Sequence, residues 1–136
     1  MPAAPDAVTT AVTALRAADD KKGVELELLD VADLLAVVDL FALVTATNER
    51  HLKAVADAVE EAVRETEDRR PLRREGTPAS GWILLDYGDV VVHLFHSDQR
   101  DFYALERLWS DVPRRDPVSG EVVGRDVAAA AGDVVG

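Results

Sequence analysis

Apolar positions recur along this chain with two periods, and the switches between them mark out its elements. Leu52, Val55, Ala56, Val59 and Val63 follow the i, i+3, i+4, i+7 spacing of a helix with one buried face. That helix is predicted to begin at about Glu49, after the punctuating run Thr45-Ala46-Thr47-Asn48. Pro5 and Asp6 open an earlier helix, with Asp6 as the expected N-cap and Val8, Val12 and Leu15 as its apolar stripe; Lys21-Lys22-Gly23 suits its end. Val24, Leu26 and Leu28 alternate with Glu25 and Glu27, the pattern of a strand with one wet face. Residues 40–44 are apolar without alternation, as in a central strand covered on both sides, whereas 30–38 carries no clear period. Residues 69–75 are basic and interrupted by Pro71, with an edge strand from Leu72 and a turn-rich run at 77–81.

Residues 81–109 concentrate the aromatic side chains: both tryptophans, both tyrosines and two of the three phenylalanines, in a chain that is 5% aromatic. Residues 82–85 form a short apolar run fit for a strand buried on both faces, and Asp86-Tyr87-Gly88-Asp89 reads as a tight hairpin turn. Residues 90–96 are β-branched and apolar, a second strand. Asp98 is then a candidate N-cap for a helix carrying Phe102, Leu105, Leu108 and Trp109. The order α-β-β-α-(β)-β-β-α predicts a single-domain α/β sandwich in which a mixed β-sheet carries helices. Residues 1–110 make up that domain. Pro113, Pro117, Gly120, Gly124 and an alanine run show little amphipathic order, so 111–136 is expected to be a disordered tail.

Length and composition narrow the classes. A chain of 136 residues, 48% hydrophobic and 30% charged, suits one folded core. The absence of cysteine excludes disulfides and thiolate chemistry. No apolar run approaches a membrane span, and no signal-peptide pattern follows Met1, so a cytoplasmic location is expected. The net charge of −11 works against broad phosphate-backbone binding and suits a basic partner, although from charge alone the favoured reading is that it only keeps the protein soluble.

The candidate chemistry is mostly structural. His93 and His96 lie three apart on a predicted strand and should face opposite ways, with His51 on a distant helix, so no metal site is expected; the favoured reading of His93 is a buried residue with hydrogen-bonded ring nitrogens. Asp86 and Asp89 could be read as paired carboxylates, but they flank a turn, where aspartate commonly binds backbone N–H groups. Ser97 and Thr45 have no identifiable base nearby. Arg69, Arg70, Arg73 and Arg74 could touch phosphates, although pairing with Glu67, Asp68 and Glu75 in a solvated segment is favoured. Trp82 and Tyr87, at a strand start and a hairpin tip, are candidate interface anchors, with Tyr103 at the edge of the last helix.

The run W-x-x-x-D-x-G-D-x-V-x-H, then R-x-F-Y-x-L-E-x-L-W, is carried by Trp82, Asp86, Gly88, Asp89, Val91, His93, Arg100, Phe102, Tyr103, Leu105, Glu106, Leu108 and Trp109. It resembles the signature of the Iojap-related ribosomal silencing factors, the RsfS family. Asp39 before the 40–44 strand and the Arg50-His51 pair resemble further family features, with Asn48-Glu49 replacing a serine-containing pair. The resemblance implies a nucleotidyltransferase-like fold, no enzymatic activity and no cofactor. It also implies binding to large ribosomal subunit protein fourteen, blocking subunit joining and repressing translation when nutrients are scarce, with a homodimer when free and little direct nucleic-acid contact. The partner surface it implies includes Trp82 and Tyr87, with Asp86 and Asp89 shaping or flanking it. Alternatives are a large-subunit assembly factor and a vestigial nucleotide-binding protein; the Gly-Ser pair and closely spaced carboxylates of nucleotidyltransferases are missing.

Overall fold

The computed structural model describes residues 3–97 and 112–123. Its first element is α1 (Pro5–Asp20). Pro5 stands in the first turn, where a missing N–H costs nothing, and the N-cap is Ala4 rather than the expected Asp6. Asp6 lies one turn position inside, where its charge meets the positive end of the helix dipole. The buried stripe also differs from expectation. It is made of Ala7, Ala11, Ala14, Leu15 and Ala18, while Val8 and Val12 sit at its margin. Alanines carry little hydrophobic contrast, so the valines dominated the apparent periodicity.

β1 (Val24–Asp30) and β2 (Leu40–Ala46) pair antiparallel. A register shift between Val24 and Glu27, with Glu25 at φ 52°, breaks the alternation that the sequence suggested. Val24 is consequently exposed, whereas Leu28 and Leu29 are buried on opposite faces. β2 is the central strand expected at 40–44: β1 flanks it on one side and β5 (Val90–His96), in parallel, on the other.

The crossover between these parallel strands contains α2 (Glu49–Glu67), which begins where the sequence placed it. The Asn48 side chain accepts a hydrogen bond from the His51 amide at 2.8 Å, and Leu52, Val55, Ala56, Val59 and Val63 are all buried. The edge strand β3 (Arg73–Thr77) follows, then a single 3-10 turn at Pro78–Ser80, then β4 (Trp82–Asp86). The β4–β5 hairpin closes through Gly88 and Asp89, with the Tyr87 amide donating to the Val90 carbonyl at 2.8 Å. Gly88 takes φ 92° at the first central position, a conformation that glycine adopts without steric cost. β4 is not buried on both faces as expected: Ile83 and Leu85 are buried, but Trp82, Leu84 and Asp86 are half-buried.

The sheet order is β3-β4-β5-β2-β1-β6, mixed because only the β2–β5 pairing is parallel among the strands described. α1 and α2 share one face, over a core that includes Leu28, Ala42, Val44, Ile83, Val92 and Leu94. The second face carries a smaller cluster of Leu29, Val31, Leu43, Phe95 and Val112, flanked by Leu35, Val38, Phe41 and Trp82. The helix expected after Asp98 lies outside the described residues.

Residues 112–123 carry β6 (Arg114–Arg115), a strand within the segment expected to be mostly disordered; 111 and 124–136 lie outside the described residues. Leu28 pairs with Arg115 and Leu29 with Arg114, so the segment adds a strand to the β1 edge. Arg114 binds both carboxylate oxygens of Glu27 at 2.9 Å, and Arg115 Nε donates to Asp30 Oδ2 at 3.1 Å. Gly120 lies so close to α1 that a Cβ would stand 2.6 and 2.9 Å from methyl groups of Val8 and Val12. Val112 joins the core of the second face. These contacts stabilise the segment without any periodic pattern of its own.

Candidate functional site

The alternation along β4 puts Trp82, Leu84 and Asp86 on the second face of the sheet. Trp82 follows Gly81, which ends the 3-10 turn, and Thr77 and Ser80 brace that turn by binding each other's backbone amides. Across the hairpin Trp82 pairs with Phe95, their rings 5.7 Å apart and inclined by 11°. The His93 ring lies 6.0 Å from both the Trp82 and the Phe95 rings, and Phe41 meets His93 edge-on at 5.1 Å. Trp82 and Leu84 also line a cavity of about 260 Å³ with Glu75 and Gly76 of the edge strand.

His93 departs from the sequence reading. It is buried as expected, but among the described residues neither ring nitrogen has a hydrogen-bond partner. Burial pushes its pKa down to about 4, and Asp86 opposes this only in part. The ring is therefore neutral at physiological pH, with one donor and one acceptor unused. His96 pairs with Ala46 and so faces away from His93, which pairs with Leu43. His51 is tied elsewhere: its Nδ1 accepts from the Thr47 amide at 3.0 Å and its Nε2 meets the Lys21 carbonyl at 2.6 Å. The three histidines are not brought together.

The aspartates of the hairpin are committed to local structure. Asp86 Oδ1 accepts from the Gly88 amide at 2.8 Å, and Oδ2 accepts from Arg73 at 3.1 Å. Asp89 is held by Arg69 at 2.7 Å, and the same guanidinium donates to the Tyr87 carbonyl and to Thr10 of α1. Arg69 thus pins the hairpin loop to the helices. Arg74 pairs with Asp57 and Glu60 of α2, and Arg73 with Glu75 as well as Asp86. Three of the four clustered arginines, Arg69, Arg73 and Arg74, are paired, chiefly with distant carboxylates rather than with Glu67 and Asp68.

Tyr87 is not at the surface. It is 3% exposed and belongs to the core beneath the helices, with Arg69 5.7 Å from its ring centroid. Its hydroxyl is buried without a hydrogen-bond partner. Burial raises its pKa, with Glu60 adding to the effect and Arg69 opposing it. The structure therefore separates two residues expected to share a patch: Trp82 faces one side of the sheet and Tyr87 the other. Tyr103 lies outside the described residues. Leu84, Glu75 and the ring of His93 adjoin Trp82 and were not expected there from sequence, although the period-two spacing of Trp82, Leu84 and Asp86 was available to find the first of them.

Among the described residues, no helix is long and apolar enough to cross a membrane. The family profile described as "Ribosomal silencing factor during starvation" matches residues 4–133. The chain is 36% identical over 100 residues to the ribosomal silencing factor RsfS of Halalkalibacterium halodurans, covering 74% of this chain and 85% of that protein. It is 35% identical over 103 residues to the RsfS of Bacillus subtilis, covering 76% and 86% respectively. A crystal structure of a Chromobacterium violaceum protein superposes with a TM-score of 0.71 at 31% identity, covering 75% of this chain and 84% of that one. A profile spanning nearly the whole sequence, with relatives above 30% identity over most of both chains, shows that this chain belongs to the RsfS family of ribosomal silencing factors.

Proposed function

We propose that this protein silences ribosomes by occlusion: it binds the large subunit through protein fourteen and blocks joining of the small subunit, repressing translation under nutrient limitation. Family membership supports the silencing role. The observation that carries the site is the half-buried Trp82 beside Leu84 and the cavity that both line with Glu75. An indole offers a large, rigid contact area with a polar handle, as interface anchors do. Tyr87 has no part in that contact because it lies in the opposite core. Asp86 shapes the face from its margin, and Asp89 acts indirectly by fixing the hairpin through Arg69. The net charge of −11 supports a basic partner and steered encounter.

This role needs neither catalysis nor cofactor, and it places the protein in the cytoplasm, as a homodimer when free. A nucleotidyltransferase-like ancestry is compatible with the mixed sheet, but Asp86 and Asp89 are occupied by Gly88, Arg73 and Arg69 rather than arranged as a metal pair. Paired arginines support little direct contact with nucleic acid. The test is co-sedimentation with separated large and small ribosomal subunits, wild type beside Trp82→Ala. Selective binding to the large subunit, lost in a folded mutant, is the expected result. Binding to neither subunit would overturn the proposal.

A further inference from the structure

Buried polar atoms in native proteins are almost always hydrogen-bonded, and each exception costs about 1–3 kcal/mol. His93 is such an exception twice over, since both its ring nitrogens are buried and unpartnered. Among the described residues its neighbours include the rings of Trp82, Phe95 and Phe41, Leu43 of β2 and the cross-strand Leu84. A phenylalanine would fill this space and stack equally well without the penalty. The imidazole is therefore a poor choice for the isolated protein.

Its position suggests where the nitrogens find a use. His93 lies on the face that carries Trp82 and Leu84, and both of those side chains are half-buried rather than sealed beneath the helices. The indole lies 6.0 Å from the imidazole ring and can turn about its side-chain torsions while the backbone ladder stays intact. The unused groups are one N–H and one lone pair on a neutral ring. A lone pair suits an N–H donor from a basic surface, where a charged imidazolium would be repelled. Glu75 and Asp86 border the same face and favour such a donor.

Resting on the docking reading above, we infer that His93 is a specificity-determining residue of that site: the basic partner turns Trp82 off the ring stack and donates an N–H hydrogen bond to the uncovered imidazole nitrogen. The free protein carries an unmet hydrogen bond that the complex satisfies. Partners lacking a donor at that point gain only apolar contact.

The test compares wild type, His93→Phe and His93→Gln for thermal stability and for co-sedimentation with large subunits, with Trp82→Ala as the non-binding control. His93→Phe keeps a stacked ring and removes the nitrogens. It should melt a few degrees higher and bind about tenfold more weakly, the loss expected for one hydrogen bond. His93→Gln restores an acceptor and should recover part of the binding despite poorer packing. If His93→Phe fails to fold, His93→Leu serves the same comparison. Wild-type binding by a folded apolar variant would overturn the inference while leaving the docking reading standing. Failure of the wild type itself to bind would overturn the docking reading and this inference with it.

Discussion

Trp82 and Tyr87 belong to one hairpin yet lie on opposite sides of the sheet, Trp82 stacked against Phe95 and Tyr87 in the core under the helices. Substitutions at the two positions should therefore fail differently. Trp82→Ala is expected to keep a cooperative fold and lose partner binding. Tyr87→Ala opens a cavity in the main core and should cost about 3 kcal/mol or more in chemical denaturation. Tyr87→Phe removes only an unpartnered hydroxyl and should be neutral or slightly stabilising. A large loss in Tyr87→Phe would mean that the hydroxyl has a partner.

Stability should depend on pH through His93. Its folded-state pKa of about 4 lies below the ordinary value of 6.5, so between these values the unfolded chain binds more protons than the folded one. Stability contributed by the neutral ring is present above about pH 6.5 and is lost as the pH falls towards 4. The full effect is on the order of 3 kcal/mol, the free energy that separates a pKa of about 4 from one of 6.5. Denaturation of wild type and His93→Phe across this window should diverge by that order, with the wild type falling faster. Parallel curves would sink the assignment of a depressed pKa.

Gly76 tests whether the edge strand shapes the face. It holds φ 87°, and a Cβ there would stand 2.0 Å from the Trp82 carbonyl oxygen. Gly76→Ala must move the backbone of β3 or β4, at a cost above about 2 kcal/mol. Binding should fall as well, because Gly76 and Trp82 line the same cavity. Wild-type stability in this variant would contradict the close β3–β4 approach.

Arg115 and Asp30 form a nearly buried pair, with side-chain exposures of 11% and 5%. Removing one partner of such a pair leaves a desolvated charge, so Arg115→Ala should cost about 3 kcal/mol. Hydrogen exchange of the Asp30 amide, which donates to the Pro113 carbonyl at 2.9 Å, should accelerate at the same time. Unchanged exchange would show that β6 stays docked without its arginine.

What was legible in the sequence followed its periodic segments. α2 announced both its start at about Glu49 and its five buried residues, because a clean 3.6 period survives any tertiary context that keeps the helix on a sheet. The β4–β5 hairpin and the central β2 were equally plain. α1 was found with the wrong cap and a shifted face: Leu15 is buried as expected, but Val8 and Val12 lie at the margin of a side that is mostly alanine. β1 lost its alternation to a bulge that no local pattern reports. Within the site, the odd spacing between Trp82 and Tyr87 was the available sign that they could not share one face of an extended hairpin. The burial of a histidine without hydrogen bonds, and the docking of β6, depend on neighbours distant in the chain.

β6 also fixes the order in which the protein can mature during its own synthesis. Arg115 reaches Asp30 across 85 positions, so the outer edge of β1 stays unpaired and the Asp30 carboxylate stays without its cation until Arg114 and Arg115 have left the ribosome. Until then, a nascent chain presents an open strand edge to whatever lies beside the exit site. The outer edge of β1 is thereby closed only once β6 has been made.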